Sequence, residues 1–296
     1  MLLPIVCRKT EAFESAGGSV GRRCVHWTES TRAAWAVEDQ ISSGTWYCHR
    51  LGRYDTDLGM GIWRWIEDLE DNEWGYIRTK TPLMAKSDLY KISGHWDHYK
   101  EGMFVMGDEE DGKECFALRP MTCPFQYYVY KATQHSYRDL PLRYGETSTL
   151  FRNEDSGEMH GLTRVRQFTI SEGHLIVRPD QMVEEFKGCI ALAKHVMTTL
   201  GLENDITWHL SKWDPDNKEK YIGEPEVWEE TEQHIRDILT ELDLPFTEDV
   251  GEAAFYGPKV DINAKNVYGK EDTMITIQWD ALLSEQFDMY YIDQNG

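Results

Sequence analysis

The chain has 296 residues, 41% of them hydrophobic, with 11 Trp and 15 Tyr. That is enough for one large domain or two ordinary ones with a sizeable core. A formal net charge of −21 argues against a free-standing nucleic-acid binder, because phosphate contacts supply much of nucleic-acid affinity; it leaves room for a nucleotide held in an Arg-lined pocket. No apolar run reaches the roughly 18 residues of a membrane span, and six scattered cysteines without a CxxC pair point to reduced thiols in the cytoplasm.

Residues 1–58 carry seven Lys/Arg and seven Asp/Glu and show no sustained period of either kind. They read as an unassigned, poorly ordered leader whose first apolar stretch is too short, and whose first charge pair comes too early, for a secretory signal. Residues 59–296 read as the folded unit and hold all of the excess acid. Ile62, Trp65, Ile66 and Leu69 recur at helical spacing, predicting a helix that stops near Gly75. Residues 76–82 read as extended. Met103–Met106 and Cys115–Leu118 read as strands paired across an acidic turn. Pro124 predicts a helix running to about Arg138. Met182, Phe186, Ile190, Ala193, Met197 and Leu200 mark a long amphipathic helix, with Asp180 as N-cap and Gly201 as stop. Ile206–Ser211 reads as a strand, Val227–Leu242 as a helix, and Val260–Lys265 and Met274–Asp280 as two more strands. Strands interleaved with helices of this size predict an α+β fold. The final Asn295-Gly296 is a hairpin-turn pair, so the chain reads as unfinished.

The segment ETSTLFRNEDSGEMHGLTRVRQFTISEGHLIVR, residues 146–178, is the most informative. It reads as two strands joined by a polar loop. Alternation places Arg152 with Glu154 on one face of the first strand. On the second it places Arg164, Arg166, Phe168, Ile170, Glu172 and His174 on one face. Between Ala132 and Phe186 there are six arginines and no lysine. The planar guanidinium fork suits two oxygens of a phosphate or carboxylate. Glu154 suits an amino group such as adenine N6, and Phe168 suits stacking on a ring. A solvated hairpin laced with cross-strand ion pairs is the alternative.

LRPMTCP (Leu118–Pro124), FRNEDSGEMHGLTRVRQFT (Phe151–Thr169), AFYGPKVD (Ala254–Asp261), TIQWD (Thr276–Asp280) and SGHWDHY (Ser93–Tyr99) resemble the catalytic core of threonyl-tRNA synthetases. The resemblance runs from about Gly59 to Gly296. It implies a class II core, an antiparallel sheet flanked by helices, and a threonine–tRNA ligase that makes threonyl-adenylate from ATP and transfers threonine to tRNA(Thr). The helix and strand ending at Pro82 resemble motif 1, which implies a homodimer. The 146–178 segment resembles motif 2. By the same resemblance Arg152 holds the α-phosphate and Arg164 reaches the γ-phosphate, both as catalytic residues, with Mg²⁺ accompanying ATP. Glu154 contacts the adenine amino group, Phe168 stacks on the ring, and Gln278 lines the ATP and threonine pocket. Met121, Glu172 and Tyr256 line the threonine side. The family holds one zinc through a Cys and two His. Cys123 and His174 fall on two of those positions, and the third, like the motif 3 arginine and the anticodon-binding domain, is expected beyond Gly296. Threonine differs from isosteric valine by a hydroxyl, which an apolar pocket discriminates poorly and a ligating metal discriminates well.

Ile170 and Glu172 depart from the resemblance, since the family usually has Gln and Asp there. Two other readings stay open. One is a catalytically inactive synthetase-like module that binds or dimerises. The other is a sister class II enzyme for serine or proline, against which Cys123 with His174 argues.

Overall fold

The computed structural model describes the backbone of residues 5–10 and 53–295 apart from 110–112, 160–163, 267 and 281, with side chains described from residue 61. In chain order come β1 (Ile5–Thr10), α1 (Arg53–Asn72), β2 (Ile77–Arg78), β3 (Met84–Lys86), α2 (Ser87–Ile92) and α3 (His95–His98). Then follow β4 (Val105–Met106), β5 (Phe116–Leu118), α4 (Cys123–Lys131), β6 (Leu142–Phe151) and β7 (Gln167–Ile176). The remainder is α5 (Met182–Thr199), β8 (Ile206–Lys212), α6 (Pro225–Glu241), β9 (Phe246–Val250), β10 (Lys259–Lys265), β11 (Glu271–Asp280) and α7 (Leu283–Gln286).

The large sheet has the order β2-β6-β7-β1-β11-β10-β8-β9. It is antiparallel except at its two rims, where β2 runs parallel to β6 and β9 parallel to β8. A small sheet orders β3-β5-β4. The α+β expectation therefore holds.

Side-chain alternation divides the large sheet into two faces with different tasks. Leu175, Leu210, Val260, Ile262, Ile275, Ile277 and Trp279 point to one side, where Phe186, Ile190, Ala193 and Val196 of α5 and Ile235 and Leu239 of α6 cover them. That packing is why the 3.6-residue period of α5 was legible: its apolar stripe has a flat partner. Residues one step out of phase, Glu172, His174, Asp261, Thr276 and Gln278, are polar yet buried on the other side. Met121, Cys123, Tyr127, Tyr144, Tyr256, Leu283 and Phe287 form a second core there.

Several expectations are corrected. Ile5–Thr10 is a strand between β7 and β11, and α1 begins at Arg53, so the boundary at 58 falls inside a helix; residues 11–52 lie outside the described residues. The helix at Pro124 ends at Lys131 rather than near Arg138. Beyond it His135 folds back, stacking on Tyr130 at 4.4 Å, and the chain turns into β6. Asp180 does not cap α5: its carboxylate takes both arms of the Arg178 guanidinium, each at 2.9 Å. Gly201, by contrast, does follow the end of α5, with φ +72, a conformation that glycine adopts without a Cβ penalty. Strand β9 was missed because FTEDV at a sheet rim has little apolar alternation to read.

Candidate active site and metal centre

Cys123 is the first residue of α4, and Pro124 in the first turn fits the helix start. Helix N-termini favour a thiolate. His174 and Glu172 stand on the polar side of β7, opposite Tyr144 and Glu146 of β6 in the strand register. The donor atoms of Cys123, Glu172 and His174 lie within 4.8 Å of one another, and all three residues are buried. His174 Nε2 lies 4.0 Å from a Glu172 carboxylate oxygen.

The other imidazole nitrogen is committed. His174 Nδ1 meets the Gln126 side-chain carbonyl at 2.5 Å, and the Gln126 amide donates to Thr79 Oγ1 at 2.7 Å. A carbonyl can only accept, so it fixes the proton on Nδ1 and leaves Nε2, 4.0 Å from a Glu172 oxygen, as the nitrogen with the lone pair. Sequence reasoning missed Gln126. The signal was its position three residues after Cys123, which puts both on one face of a helix.

Tyr256 hydroxyl donates to the Gln278 side-chain carbonyl at 2.7 Å, deep in the protein. Tyr256, Cys123 and Met121 belong to the same apolar cluster. The expected threonine-side residues Met121, Tyr256, Gln278 and Glu172 are thus brought to the side of the sheet that holds Cys123 and His174. Tyr127 packs edge-on against His174 at 6.1 Å and donates to Asp280 at 2.9 Å. Burial pushes the Asp280 carboxyl up to about 6, against hydrogen bonds from the Leu283 and Leu282 amides and from Tyr127, which lower it.

The nucleotide-side residues sit at the other end of β7. From Phe168 to His174 the strand rises about 20 Å at roughly 3.3 Å per residue. The Arg152 guanidinium lies 4.9 Å from the Phe168 ring centroid. Strand β6 ends at Phe151 and β7 begins at Gln167, but the pairing runs on, with the Arg152 amide donating to the Arg166 carbonyl at 3.0 Å, and Arg152 keeps to the face of Phe168 that alternation gave it. Glu154 instead accepts from Arg164 Nε at 2.9 Å, and its backbone carbonyl accepts from Arg166 at 2.9 Å. Arg164 also reaches Glu158 at 3.2 Å. Phe168, Ile170, Glu172 and His174 do share a face. Ile170 is buried opposite Ser148.

The two ends are tied together by Arg119, which the sequence reading quoted in a motif without a role. It is fully buried and donates to Glu146 Oε1 at 3.0 Å, Thr149 O at 2.8 Å and Thr81 Oγ1 at 2.6 Å. Glu146 in turn accepts from the Thr81 amide and hydroxyl at 3.1 and 2.8 Å.

The family model of the tRNA synthetase class II core domain (G, H, P, S and T) matches residues 104–296. The chain belongs to this family. The class II core is 66% identical over 233 residues to a protein named threonine--tRNA ligase from Clostridium perfringens. That match covers 79% of the chain but 36% of the relative, so the chain spans little more than a third of the curated relatives it matches. A crystal structure titled as the RNA binding domain of threonyl-tRNA synthetase from Cryptosporidium parvum superposes with a TM-score of 0.71 at 32% identity, covering 80% of this chain and 58% of that one. A putative threonyl-tRNA synthetase from Aeropyrum pernix gives 0.64 at 30%, over 74% and 50%. Among the described residues no helix is long and apolar enough to cross a membrane.

Proposed function

We propose that this class II core belongs to a threonine–tRNA ligase of the cytoplasm, one that joins threonine to ATP as threonyl-adenylate and passes it to tRNA(Thr). The observation that carries the reading is the single face of β7. It runs from Phe168, beside Arg152, to Glu172 and His174, beside Cys123, Tyr256 and Gln278. A nucleotide at one end and an amino acid at the other bring the α-phosphate and the carboxylate together between them.

The chemistry asked of the protein is chiefly positioning and charge stabilisation. The threonine carboxylate attacks the α-phosphorus in line and pyrophosphate leaves; Arg152 offers a bidentate fork to the α-phosphate as charge builds there, and Mg²⁺ accompanies ATP. Arg164, 52% exposed on its side chain, exchanges Glu154 for the outer phosphates, which frees the Glu154 carboxylate for the adenine amino group. Phe168 offers its ring. Homodimerisation through α1 and β2 is part of the same reading.

The donor set fits a zinc ion. Metal bonds of about 2.0 Å to nitrogen and 2.3 Å to sulfur are compatible with donor atoms of Cys123 and His174 that lie within 4.8 Å of each other. Bound there, zinc supplies a Lewis-acidic open position for the amino and hydroxyl groups of threonine. Tyr256 and Gln278 hold the amino acid against it, and Met121 closes the apolar side.

The test is thermal unfolding of the zinc-loaded chain with non-hydrolysable sulfamoyl-adenylate analogues. At a hundred times its Kd a ligand stabilises the folded state by about 2.7 kcal/mol. The threonyl analogue is expected to raise the melting temperature, and the valyl and prolyl analogues far less. Equal shifts from all three would remove the threonine assignment. No shift from any would leave the inactive-module reading.

A further inference from the structure

With a nucleotide at the Phe168 end of the β7 face and threonine at the Glu172 and His174 end, the bond between them forms over the residue in the middle. That residue is Ile170. We propose that Ile170 is the water-excluding floor of the adenylate site, the side chain that keeps threonyl-adenylate from hydrolysis until its transfer. The inference rests on the threonine–tRNA ligase reading above and deepens it by giving a task to the one position of the row that has none there.

Three observations carry it. The first is place. At roughly 3.3 Å per residue, Ile170 stands about 7 Å from Phe168 and about 13 Å from His174 along the strand. Phe168 is partly exposed, whereas Ile170 is 2% exposed and Glu172 and His174 are wholly buried. Ile170 therefore marks where the row passes out of water. The second is company. Among the described residues Ile170 joins none of the apolar clusters, although Leu175 and Ile176 of the same strand do. Its cross-strand neighbour is Ser148, buried and hydrogen-bonded to the buried Thr122, which directly precedes Cys123. An aliphatic side chain in polar company is not placed there to complete a core. The third is chemistry. Water stays at an enclosed site only with about two to four polar partners. Ile170 offers none, and the Ser148 hydroxyl is engaged by Thr122. A water held here would bond its oxygen to the threonyl carbonyl carbon. The bond from that carbon to the phosphate oxygen would break, AMP would leave with the electron pair, and threonine and a proton would be released. The same dry floor strengthens the attraction between the Arg152 fork, 4.9 Å from the Phe168 ring, and the α-phosphate, since charges attract more strongly where water is excluded.

The experiment follows the decay of synthetic threonyl-adenylate bound to an excess of the zinc-loaded chain. Binding of the threonyl sulfamoyl-adenylate analogue, which cannot hydrolyse, is measured beside it. I170V and I170T are compared, because they share one shape and differ by a hydroxyl in place of a methyl. The parent and I170V are expected to slow the decay to a similar extent. In I170T the bound adenylate should decay about fivefold faster, the gain in water occupancy that one added hydrogen bond brings. Its affinity for the analogue should change less than the decay rate does, a split that a merely structural role for Ile170 would not produce. Equal decay in I170T and I170V, with the analogue bound by both, overturns the inference and leaves the ligase reading standing. So does a parent that binds the analogue yet lets the adenylate decay as fast as it does free in solution. A parent that does not bind the analogue removes the ligase reading and the inference with it. Melting curves check the folding of each variant. Should I170T not fold, I170S against I170A makes the same comparison, and equal decay in that pair likewise overturns the proposal.

Discussion

Replacing Arg119 by leucine is expected to destabilise the protein by about 3–5 kcal/mol, the range for breaking a buried ion pair by removing one partner. The structure says where the loss comes from. Arg119 and Glu146 are both fully inaccessible, so Arg119→Leu leaves a carboxylate in the interior with only the Thr81 amide and hydroxyl and, more distantly, Thr79 to hold it. The carbonyls of Thr149, Thr81 and Pro82, at 2.8, 3.3 and 3.3 Å, lose their donor as well. Each buried acceptor left unmade costs on the order of 1 kcal/mol. Global stabilities are about 5–15 kcal/mol, so the loss is a large share of the whole. With a urea m-value of about 3 kcal/mol/M, the unfolding midpoint falls by about 1 M or more. Because Arg119 fixes the chain just before Met121 and Cys123, zinc affinity is expected to fall with it. The double variant R119L/E146L should recover more than half of the stability, since replacing both members of a buried pair by apolar side chains is often close to neutral. A single-variant loss below about 1 kcal/mol, or a double variant worse than the single one, would refute the reasoning.

Other consequences are as direct. Arg152→Lys replaces a planar fork by a point charge. ATP affinity, measured by equilibrium dialysis with Mg²⁺, should fall at least tenfold, about 1.4 kcal/mol; a smaller change counts against the α-phosphate role. Asp280 titrates at about 6 when folded against 3.8 as a free side chain, chiefly through burial. Its folded pKa is raised, so the native state binds the extra proton between about pH 4 and 6, and stability falls as pH rises through that window. The fall is of order 2–3 kcal/mol and is complete above about pH 6. D280N should flatten this slope in urea midpoints taken across the window, and parallel slopes for parent and variant would exclude Asp280 as its source. A Cβ at Gly257 would lie 2.1 Å from the Trp279 carbonyl oxygen, a backbone atom that cannot swing aside. G257A should therefore lower the melting temperature, and by displacing Tyr256 from Gln278 should weaken the threonyl analogue more than it weakens ATP. Parent-like melting would mean that the two backbones part without cost.

The sequence by itself determined the long elements and the chemistry of their residues. Helix α5, strands β7, β10 and β11 and the α+β class follow from apolar periods, because each of these elements buries one stripe or one face. The face bearing Phe168, Glu172 and His174 follows from alternation alone. Alternation also placed Arg152 beside Phe168, because the pairing continues one step past the ends of β6 and β7, but it could not show that Glu154 is engaged by Arg164. Short rim strands such as β9 carry too little apolar signal to read. Only the tertiary structure decided that Cys123, far from His174 in sequence, stands within ligating reach of it and of Glu172. Only it decided that Gln126 orients the imidazole and that Arg119 balances Glu146. The physical reason is the same for each. Local patterns fix which face a residue takes, while the meeting of α4 with β6 and β7 depends on packing between elements distant in the chain, and no period within any one of them records it.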